Sequence, residues 1–278
     1  MFKGRKLLIV TKHGKEQVIA PLAEKALGVT CTVAHAYDTD YLGTFTGEIQ
    51  RHGDALATLR RKCDQGMALY GYDLAIASEG SFGPHPTLFI APGDDELIML
   101  KDLVNGVEIL ARELTLDTNF SGSLITNLEE LETFLVQAKF PGHAVIIRKS
   151  EDSTRGMVKG VNDPELMAKL GQKYLNDYGS FFIETDMRAM HNPSRMQAIA
   201  RAADKLFAKA LSLCPSCSTP GFSITDIRPG LPCSACRFPT ASALSHIYCC
   251  VKCGFSTETK YPNGKEAEEP MYCDMCNP

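Results

Sequence analysis

The sequence predicts an α/β protein, with a mixed sheet flanked by helices and a small cysteine-rich module at its C-terminal end. Three observations support this fold class. Strand-like apolar runs alternate with helical patterns in the first eighty residues, a hairpin signal follows, and nine of the eleven cysteines lie after residue 213. A chain of 278 residues exceeds the usual size of one domain, so we expect two, at 1–212 and 213–278.

The first part of the chain alternates between strand and helix patterns. Lys6 to Thr11 and Val29 to Ala34 are predicted strands, and Glu16 to Leu27 between them carries apolar residues on one side. Gly53 to Tyr70 has apolar residues at helical spacing, and Leu74 to Ala77 is typical of a strand buried on both faces. Helical crossovers of this kind favour parallel strands.

The middle of the chain changes character. Asn105-Gly106 is a strong hairpin signal between two apolar runs, Leu97 to Asp102 and Val107 to Thr115. The remaining predicted elements are helices from Asn127 to Gln137, from Asp163-Pro164 onward and from Asn192-Pro193 to Ser212, and strands at Ala144 to Arg148 and Phe181 to Glu184.

Composition and charge limit the classes of function. The chain is 44% apolar with a net charge of −4 and a pI of about 6.0, which gives no general attraction to nucleic acid or anionic membranes. The longest early apolar run, Leu7 to Val10, is too short for a signal peptide or a membrane span. We therefore expect a cytoplasmic protein with no membrane partner.

Eight cysteines form four CxxC pairs, a spacing that holds thiolates for a metal. The first two pairs enclose fifteen residues and the last two enclose nineteen, lengths that suit small zinc ribbons. The sequence therefore predicts two structural Zn²⁺ ions. We favour sequential pairing, with an interleaved arrangement as the alternative, and Cys249 would be a spare thiol. The pairs are Cys214/Cys217, Cys233/Cys236, Cys250/Cys253 and Cys273/Cys276.

The charge of this C-terminal segment argues against nucleic-acid binding. Residues 214–278 hold five basic and six acidic side chains, and eight thiolates with two Zn²⁺ would make the segment more negative still. Nucleic-acid binding depends on neutralising phosphates with basic side chains. We favour a metal-stapled module too small to fold on its own core.

Two predicted strand ends carry polar residues suited to phosphate chemistry. The first strand ends in Thr11 and Lys12 and reaches Lys15 at the start of a helix, a setting that suits an anion. A later strand ends in Ser78-Glu79-Gly80-Ser81, where Glu79 could hold Mg²⁺. The alternative is a solvated turn around Lys12 and Lys15, with Glu79 as a cap.

Two weaker candidates lie elsewhere. Arg188 and Arg195 flank a predicted strand-to-helix turn, where a guanidinium could bind phosphate or carboxylate, although an Asp186–Arg188 surface pair and a helix cap explain them equally well. Glu48 lies in a turn before a helix and is a further candidate for Mg²⁺.

The stretches "VTKHGK", "TGEIQRHGDALATLRRKC" and "YDLAIASEGSFG" resemble the inosine-triphosphate-pyrophosphatase-like superfamily. The resemblance covers about the first hundred residues. It implies the fold of that superfamily and the cleavage of nucleoside triphosphates with Mg²⁺. It also implies that Thr11 and Lys15 contact the phosphates and that Glu79 binds the metal. Lys12 stands where that superfamily usually has asparagine, and Ser78-Glu79 where many members have two acids. The rest of the chain, with its CxxC ending, resembles an uncharacterised bacterial family.

These observations lead to one hypothesis and two alternatives. The hypothesis is a Mg²⁺-dependent phosphohydrolase acting on a nucleotide, with Glu79, Lys15 and Arg188 catalytic and with Thr11, Lys12, Ser78, Ser81 and Arg195 contacting the substrate. One alternative is a non-catalytic protein that binds a nucleotide or another anion and contacts a protein partner through its zinc ribbons. The other is a nucleic-acid-associated zinc-ribbon protein. Homo-oligomerisation remains open.

Overall fold

A computed structural model describes residues 1–35, 37 and 54–278. The chain divides into two compact units. The first unit comprises residues 1–101 and 110–207, and the second comprises 102–109 and 208–278. The first unit contains the predicted phosphate-binding residues, and the second contains the CxxC pairs.

A mixed sheet carries the N-terminal part of the chain. Within the described ranges its strand order is β2-β1-β3-β4-β5, and β1 pairs in parallel with both β2 and β3. Short connections join β3 to β4 and β4 to β5, so these neighbours run antiparallel. The strands are β1 (Lys6–Val10), β2 (Thr30–Val33), β3 (Leu74–Pro84), β4 (Pro92–Asp102) and β5 (Val107–Thr115).

Two helices connect the parallel strands: α1 (Glu16–Leu27) and α2 (Ala55–Tyr70). The apolar stripe of α2, including Leu59, Cys63 and Met67, packs against Leu8 and Val10 of β1 and alternate residues of β3. Asp54 begins α2 by accepting a hydrogen bond from the backbone N–H of Ala57 at 2.6 Å. The predicted alternation of strand and helix is therefore present.

A second sheet in the first unit is antiparallel, with the order β6-β9-β7-β8 among the described strands. Phe181 and Ile183 of β9 are fully buried and share a core with Leu131, Phe134 and Met167 from the helices α3 and α4. The elements are β6 (Gly122–Ile125), α3 (Leu128–Gln137), β7 (Val145–Arg148), β8 (Val158–Val161), α4 (Pro164–Tyr178) and β9 (Phe181–Thr185), followed by α5 (Pro193–Leu211).

The second unit is built around an antiparallel meander with the order β10-β11-β12 among the described residues. Its strands are β10 (Ser223–Pro229), β11 (Ala243–Cys249) and β12 (Ser256–Lys260). The CxxC pairs lie in the turns before, between and after these strands. In the described ranges of the whole chain, no helix is long and apolar enough to cross a membrane.

The structure confirms a mixed α/β fold and differs from the sequence prediction in its details. We expected β3 to open into a loop after Ala77 and β4 to start at Leu97, but the strands extend to Pro84 and from Pro92. They extend because β3 and β4 pair with each other beyond the end of β1. The short strands β6 and β8 were missed, and β9 pairs with β6 and β7 in the second sheet.

Candidate functional site

Buried polar side chains gather where β3 passes the carboxyl end of β1. The two strands pair up to Val10 and Ala77, and Ser78, Glu79 and Gly80 follow next on β3. Because β1 lies between β2 and β3, the chain direction across the sheet reverses here, and ligands bind at such switch points in open α/β sheets. We call these side chains the switch-point cluster: Lys15, Lys62, Ser78, Glu79, Asp94, Glu96 and Arg195, each with 9% exposure or less.

Ser78 and Glu79 contact different helices. Lys15, the residue before α1, donates a hydrogen bond from Nζ to Ser78 Oγ at 3.1 Å. Lys62 of α2 forms an ion pair with Glu79. Because neighbouring side chains on a strand point to opposite faces, the two lysines reach β3 from opposite sides of the sheet. Ser78, rather than Glu79, is thus the residue of this strand that contacts Lys15.

A second ion pair joins α5 to β4 on the Ser78 side of the sheet. Arg195 Nε lies 2.6 Å from Glu96 Oε1, and both side chains are at most 1% exposed. The pair lies directly against Gly80, where an added Cβ would come within 2.3 Å of Glu96 Oε1. The Arg195 guanidinium also lies over the Phe82 ring, 5.1 Å from its centroid. Only a glycine at position 80 leaves room for this arrangement.

Two carboxylates on β4 have oxygens without hydrogen-bond partners. Among the described residues, Asp94 Oδ1 and Glu96 Oε2 are both fully buried and unpartnered. Burial and the neighbouring Glu96 carboxylate raise the pKa of Asp94 to about 7. An unpaired buried carboxylate is costly, so each of these groups normally has a partner. The side chains of Asp94 and Glu96 could therefore accept a cation, and Asp94 could also accept a proton.

Lys15 is perturbed in the opposite sense. Burial, followed by the positive charge of Arg195 and that of Lys62, lowers the pKa of Lys15 to about 7, although the nearby carboxylates Glu96 and Glu79 act against this. A lysine with such a pKa is partly neutral at physiological pH, so it can accept as well as donate a proton.

The remaining predicted site residues, apart from Glu79 of the cluster, lie elsewhere. Thr11 and Lys12 line a pocket of about 300 Å³ at the carboxyl ends of β1 and β2. Glu79 and Ser81 line a different pocket, of about 230 Å³. Arg188 forms an ion pair with the fully buried Asp186, with its Nη2 at 2.6 Å from Oδ2. Glu48 falls outside the described residues.

The sequence analysis missed Lys62, Asp94 and Glu96, although each carried a signal. Lys62 lies one turn after Leu59 in the apolar stripe of α2, so its position in the sequence places a charged side chain on the buried face of this helix. Asp94 and Glu96 continue the alternation of Ile98 and Leu100 towards the start of β4. An acid in phase with buried aliphatic residues marks a candidate site as clearly as an acid at a strand end.

The eight CxxC cysteines form two groups of four, and each group could hold a metal ion such as zinc. Within each group the sulfurs lie within 4.8 Å of one another. Distances between sulfurs of different pairs are 3.7 Å for Cys214–Cys253 and 3.8 Å for Cys233–Cys276. Tetrahedral zinc with bonds of about 2.3 Å would hold its sulfurs about 3.8 Å apart. The arrangement thus fits this metal.

The pairing of the CxxC units is interleaved. Cys214/Cys217 joins Cys250/Cys253, and Cys233/Cys236 joins Cys273/Cys276, so the expectation of two sequential ribbons was wrong. The meander explains why. Ser223 at the start of β10 lies opposite Cys249 at the end of β11, so the first pair meets the third. Lys260 at the end of β12 lies opposite Ser245 near the start of β11, which returns the chain towards the second pair.

A family model matches residues 62–278. It describes a domain of unknown function, DUF6671. The chain belongs to the DUF6671 family. No curated protein matches the sequence. The DUF6671 match includes the eight CxxC cysteines and, from the switch-point cluster, every member except Lys15.

Proposed function

We propose that this protein is a phosphohydrolase that acts on a nucleotide or a related phosphorylated small molecule, with Mg²⁺ bound at the switch-point cluster. One observation carries the proposal: the buried Asp94 and Glu96 each have an unpartnered oxygen beside the cations Arg195 and Lys15. Carboxylates for a metal and cations for an anion are the two requirements of metal-assisted phosphoryl chemistry.

Asp94 and Glu96 would hold the magnesium ion. Mg²⁺ is usually bound by one or two carboxylates together with waters and substrate phosphates, so two carboxylates suffice. The ion would neutralise charge on the phosphoryl oxygens and lower the pKa of a bound water. Glu79, to which the sequence analysis assigned this role, is paired with Lys62. Glu96 Oε2 and Asp94 Oδ1 have no such partner among the described residues.

Arg195 would help to hold the phosphoryl group and offset its charge. Its guanidinium is held by Glu96 and by the carbonyl of Met187, so its orientation is preorganised. Arg188, predicted from the sequence as a catalytic residue, instead forms the ion pair with Asp186.

Phosphate release from a panel of nucleoside triphosphates tests the proposal. We expect turnover only when Mg²⁺ is added to buffers that have been freed of divalent ions. A chelator in the assay is unsuitable, because it would also remove metal from the cysteine groups. Asp94→Asn should reduce turnover on the order of 10²-fold or more. Asp95→Asn is the matched control, since Asp95 pairs with Arg112 and is partly exposed.

Two outcomes would contradict the proposal. No phosphate release from any substrate with Mg²⁺ would exclude this activity for the panel. Equal turnover for Asp94→Asn and wild type would place the reaction elsewhere in the molecule. If nucleotides protected the protein against heating without being hydrolysed, the non-catalytic binding function would be favoured instead.

We also propose that each group of four cysteines binds one structural Zn²⁺. The sulfur separations of 3.6 Å for both Cys217–Cys250 and Cys236–Cys273 support tetrahedral coordination in both groups. Metal analysis of the purified protein should find about two zinc ions per chain. A content near zero after purification without chelators would overturn this proposal.

A further inference from the structure

We propose that Ser78 is a nucleophile and Lys15 its general base, so that the phosphoryl group is transferred through a covalent phosphoserine. The identity of the transferred group rests on the proposed function, whereas the pairing of nucleophile and base rests on the contact between the two side chains, their burial and the charges around them. Neither the family description nor the resemblance noted from the sequence assigns a serine nucleophile to this chain.

The contact between the two side chains has the geometry of an activated nucleophile. Lys15 Nζ lies 3.1 Å from Ser78 Oγ, within the 2.6–3.2 Å range expected for a nucleophile and its base. The pair lies at the switch point of the sheet, where α/β proteins bind ligands. Both side chains are buried, which strengthens the electrostatic interactions around the pair.

Lys15 is suited to act as a base because its surroundings disfavour the charged amine. Burial is the largest cause of its lowered pKa, and the cations on α5 and α2 add to the effect. The charged groups that act on it come from four elements, so the balance does not depend on one neighbour. They are Arg195 on α5, Lys62 on α2, Glu79 on β3, and Glu96 and Asp94 on β4.

The groups around Ser78 also suit a reaction that develops negative charge. Gly80, two residues further along the same face of β3, lies against Arg195 and Glu96. The Arg195 guanidinium is thus on the face to which Ser78 points, where a phosphoryl group attached to Oγ would need positive charge. Lys62 Nζ lies 3.5 Å from the carbonyl oxygen of Ser78 and helps to fix this part of the strand.

The proposed reaction balances without an oxidant or a further reactant. Ser78 Oγ gives its proton to Lys15 Nζ and bonds to phosphorus, and the bond from phosphorus to the leaving oxygen breaks. The Lys15 ammonium then gives that proton to the leaving oxygen. In the second half, water gives a proton to Lys15 and bonds to phosphorus, and Ser78 Oγ leaves and recovers the proton.

An alkyl fluorophosphonate tests this pair without requiring Mg²⁺ or a nucleotide. The reagent carries an electrophilic phosphorus, and we expect it to modify the full-length protein at Ser78, as mapped by peptide mass spectrometry. Lys15→Arg keeps a cation but cannot accept a proton, so it should slow labelling on the order of 10²-fold or more. The labelling rate of wild type should rise with pH and be half-maximal near pH 7, the pKa of Lys15.

Matched variants separate this pair from general reactivity. Ser123→Ala on β6 and Lys169→Met on α4, both outside the cluster, should label at the wild-type rate. Ser78→Ala should not label. Modification at another residue, or an unchanged rate in Lys15→Arg, would overturn the proposal even if Ser78→Ala failed to fold.

The result is independent of the phosphohydrolase assay. Labelling of Ser78 without phosphate release would support the pair and count against the proposed function. Phosphate release without labelling would support the proposed function and exclude a serine nucleophile.

Discussion

Ser78 and Glu79 are neighbours in the chain, yet one contacts Lys15 just before α1 and the other contacts Lys62 of α2. The strand geometry of β3 explains this separation, because each successive side chain points to the opposite face. A substitution of Ser78 should therefore remove a contact of Lys15, and a substitution of Glu79 a contact of Lys62.

Gly80 is a residue where an added methyl group should disturb a buried ion pair. In Gly80→Ala the new Cβ would lie 2.5 Å from Arg195 Nη2 and 2.3 Å from Glu96 Oε1, so the buried ion pair must move. We expect a loss of unfolding free energy of about 1–3 kcal/mol, measured by urea denaturation. Gly83→Ala on the same strand meets no atom within 4 Å and should change the free energy by less than about 0.5 kcal/mol.

Asp94 should make the stability of the protein fall as the pH rises. Its folded pKa of about 7 lies above the ordinary value of 3.8, so the folded state binds more protons than the unfolded state between these values. This contribution is fully present below about pH 4 and lost by about pH 7. Asp94→Asn has no carboxyl group at this position, so its stability should not fall in this way. Its unfolding free energy relative to wild type should therefore rise on the order of 1–4 kcal/mol between pH 4 and 8.

Urea denaturation of both proteins in magnesium-free buffer measures this difference. Asp152→Asn, an exposed position, serves as the control and should follow the wild-type pH profile. A constant gap between Asp94→Asn and wild type across this pH range would show that the carboxyl does not titrate near neutrality.

At the scale of single elements, α3 begins as its sequence predicts. Asn127 accepts a hydrogen bond from the backbone N–H of Glu130 at 2.9 Å, and Glu130 accepts one from the backbone N–H of Thr126 at 2.7 Å. The Glu130 side chain thus accepts a hydrogen bond from the residue before the cap rather than from the cap residue itself. The reciprocal bonds still satisfy donors at the start of the helix.

Removing this cap should destabilise the first unit. Asn127→Ala loses the acceptor for the Glu130 N–H and should lower the unfolding free energy by about 0.5–2 kcal/mol. Asn127→Asp keeps an acceptor and should be close to wild type. Glu132→Ala, an exposed substitution in the same helix, controls for helix propensity. Equal stability of Asn127→Ala and Asn127→Asp, measured by chemical denaturation, would show that the bond contributes nothing.

At the scale of the whole molecule, pairs of cysteine substitutions distinguish the two ways of connecting the metal groups. In the interleaved arrangement Cys214 and Cys250 belong to one group, so Cys214→Ser/Cys250→Ser should keep about one zinc ion. Cys214→Ser/Cys233→Ser damages both groups and should lose both ions. Sequential ribbons would give the reverse result, and metal analysis of the two purified variants decides between them.

Features that depend on residues close together in the chain could be predicted from local sequence patterns. The alternation of strands and helices around β1 to β3, the cap at Asn127 and the four CxxC turns all depend on residues a few positions apart. The sequence also directed attention to Lys15, Ser78 and Arg195, because glycine, hydroxyl and charged residues at element ends are informative without a structure.

Which of these residues contact each other depends on how the chain folds. Arg195 and Glu96 are 99 residues apart, and Lys15 and Ser78 are 63 apart. The extension of β3 to Pro84 depends on its pairing with β4. The interleaving of the cysteine pairs depends on the register of β10, β11 and β12. The contact between Lys15 and Ser78 depends on which face of the sheet each β3 side chain points to. Such contacts are set by strand pairing and by packing across the sheet, and the spacing of residues along the chain does not encode this pairing and packing.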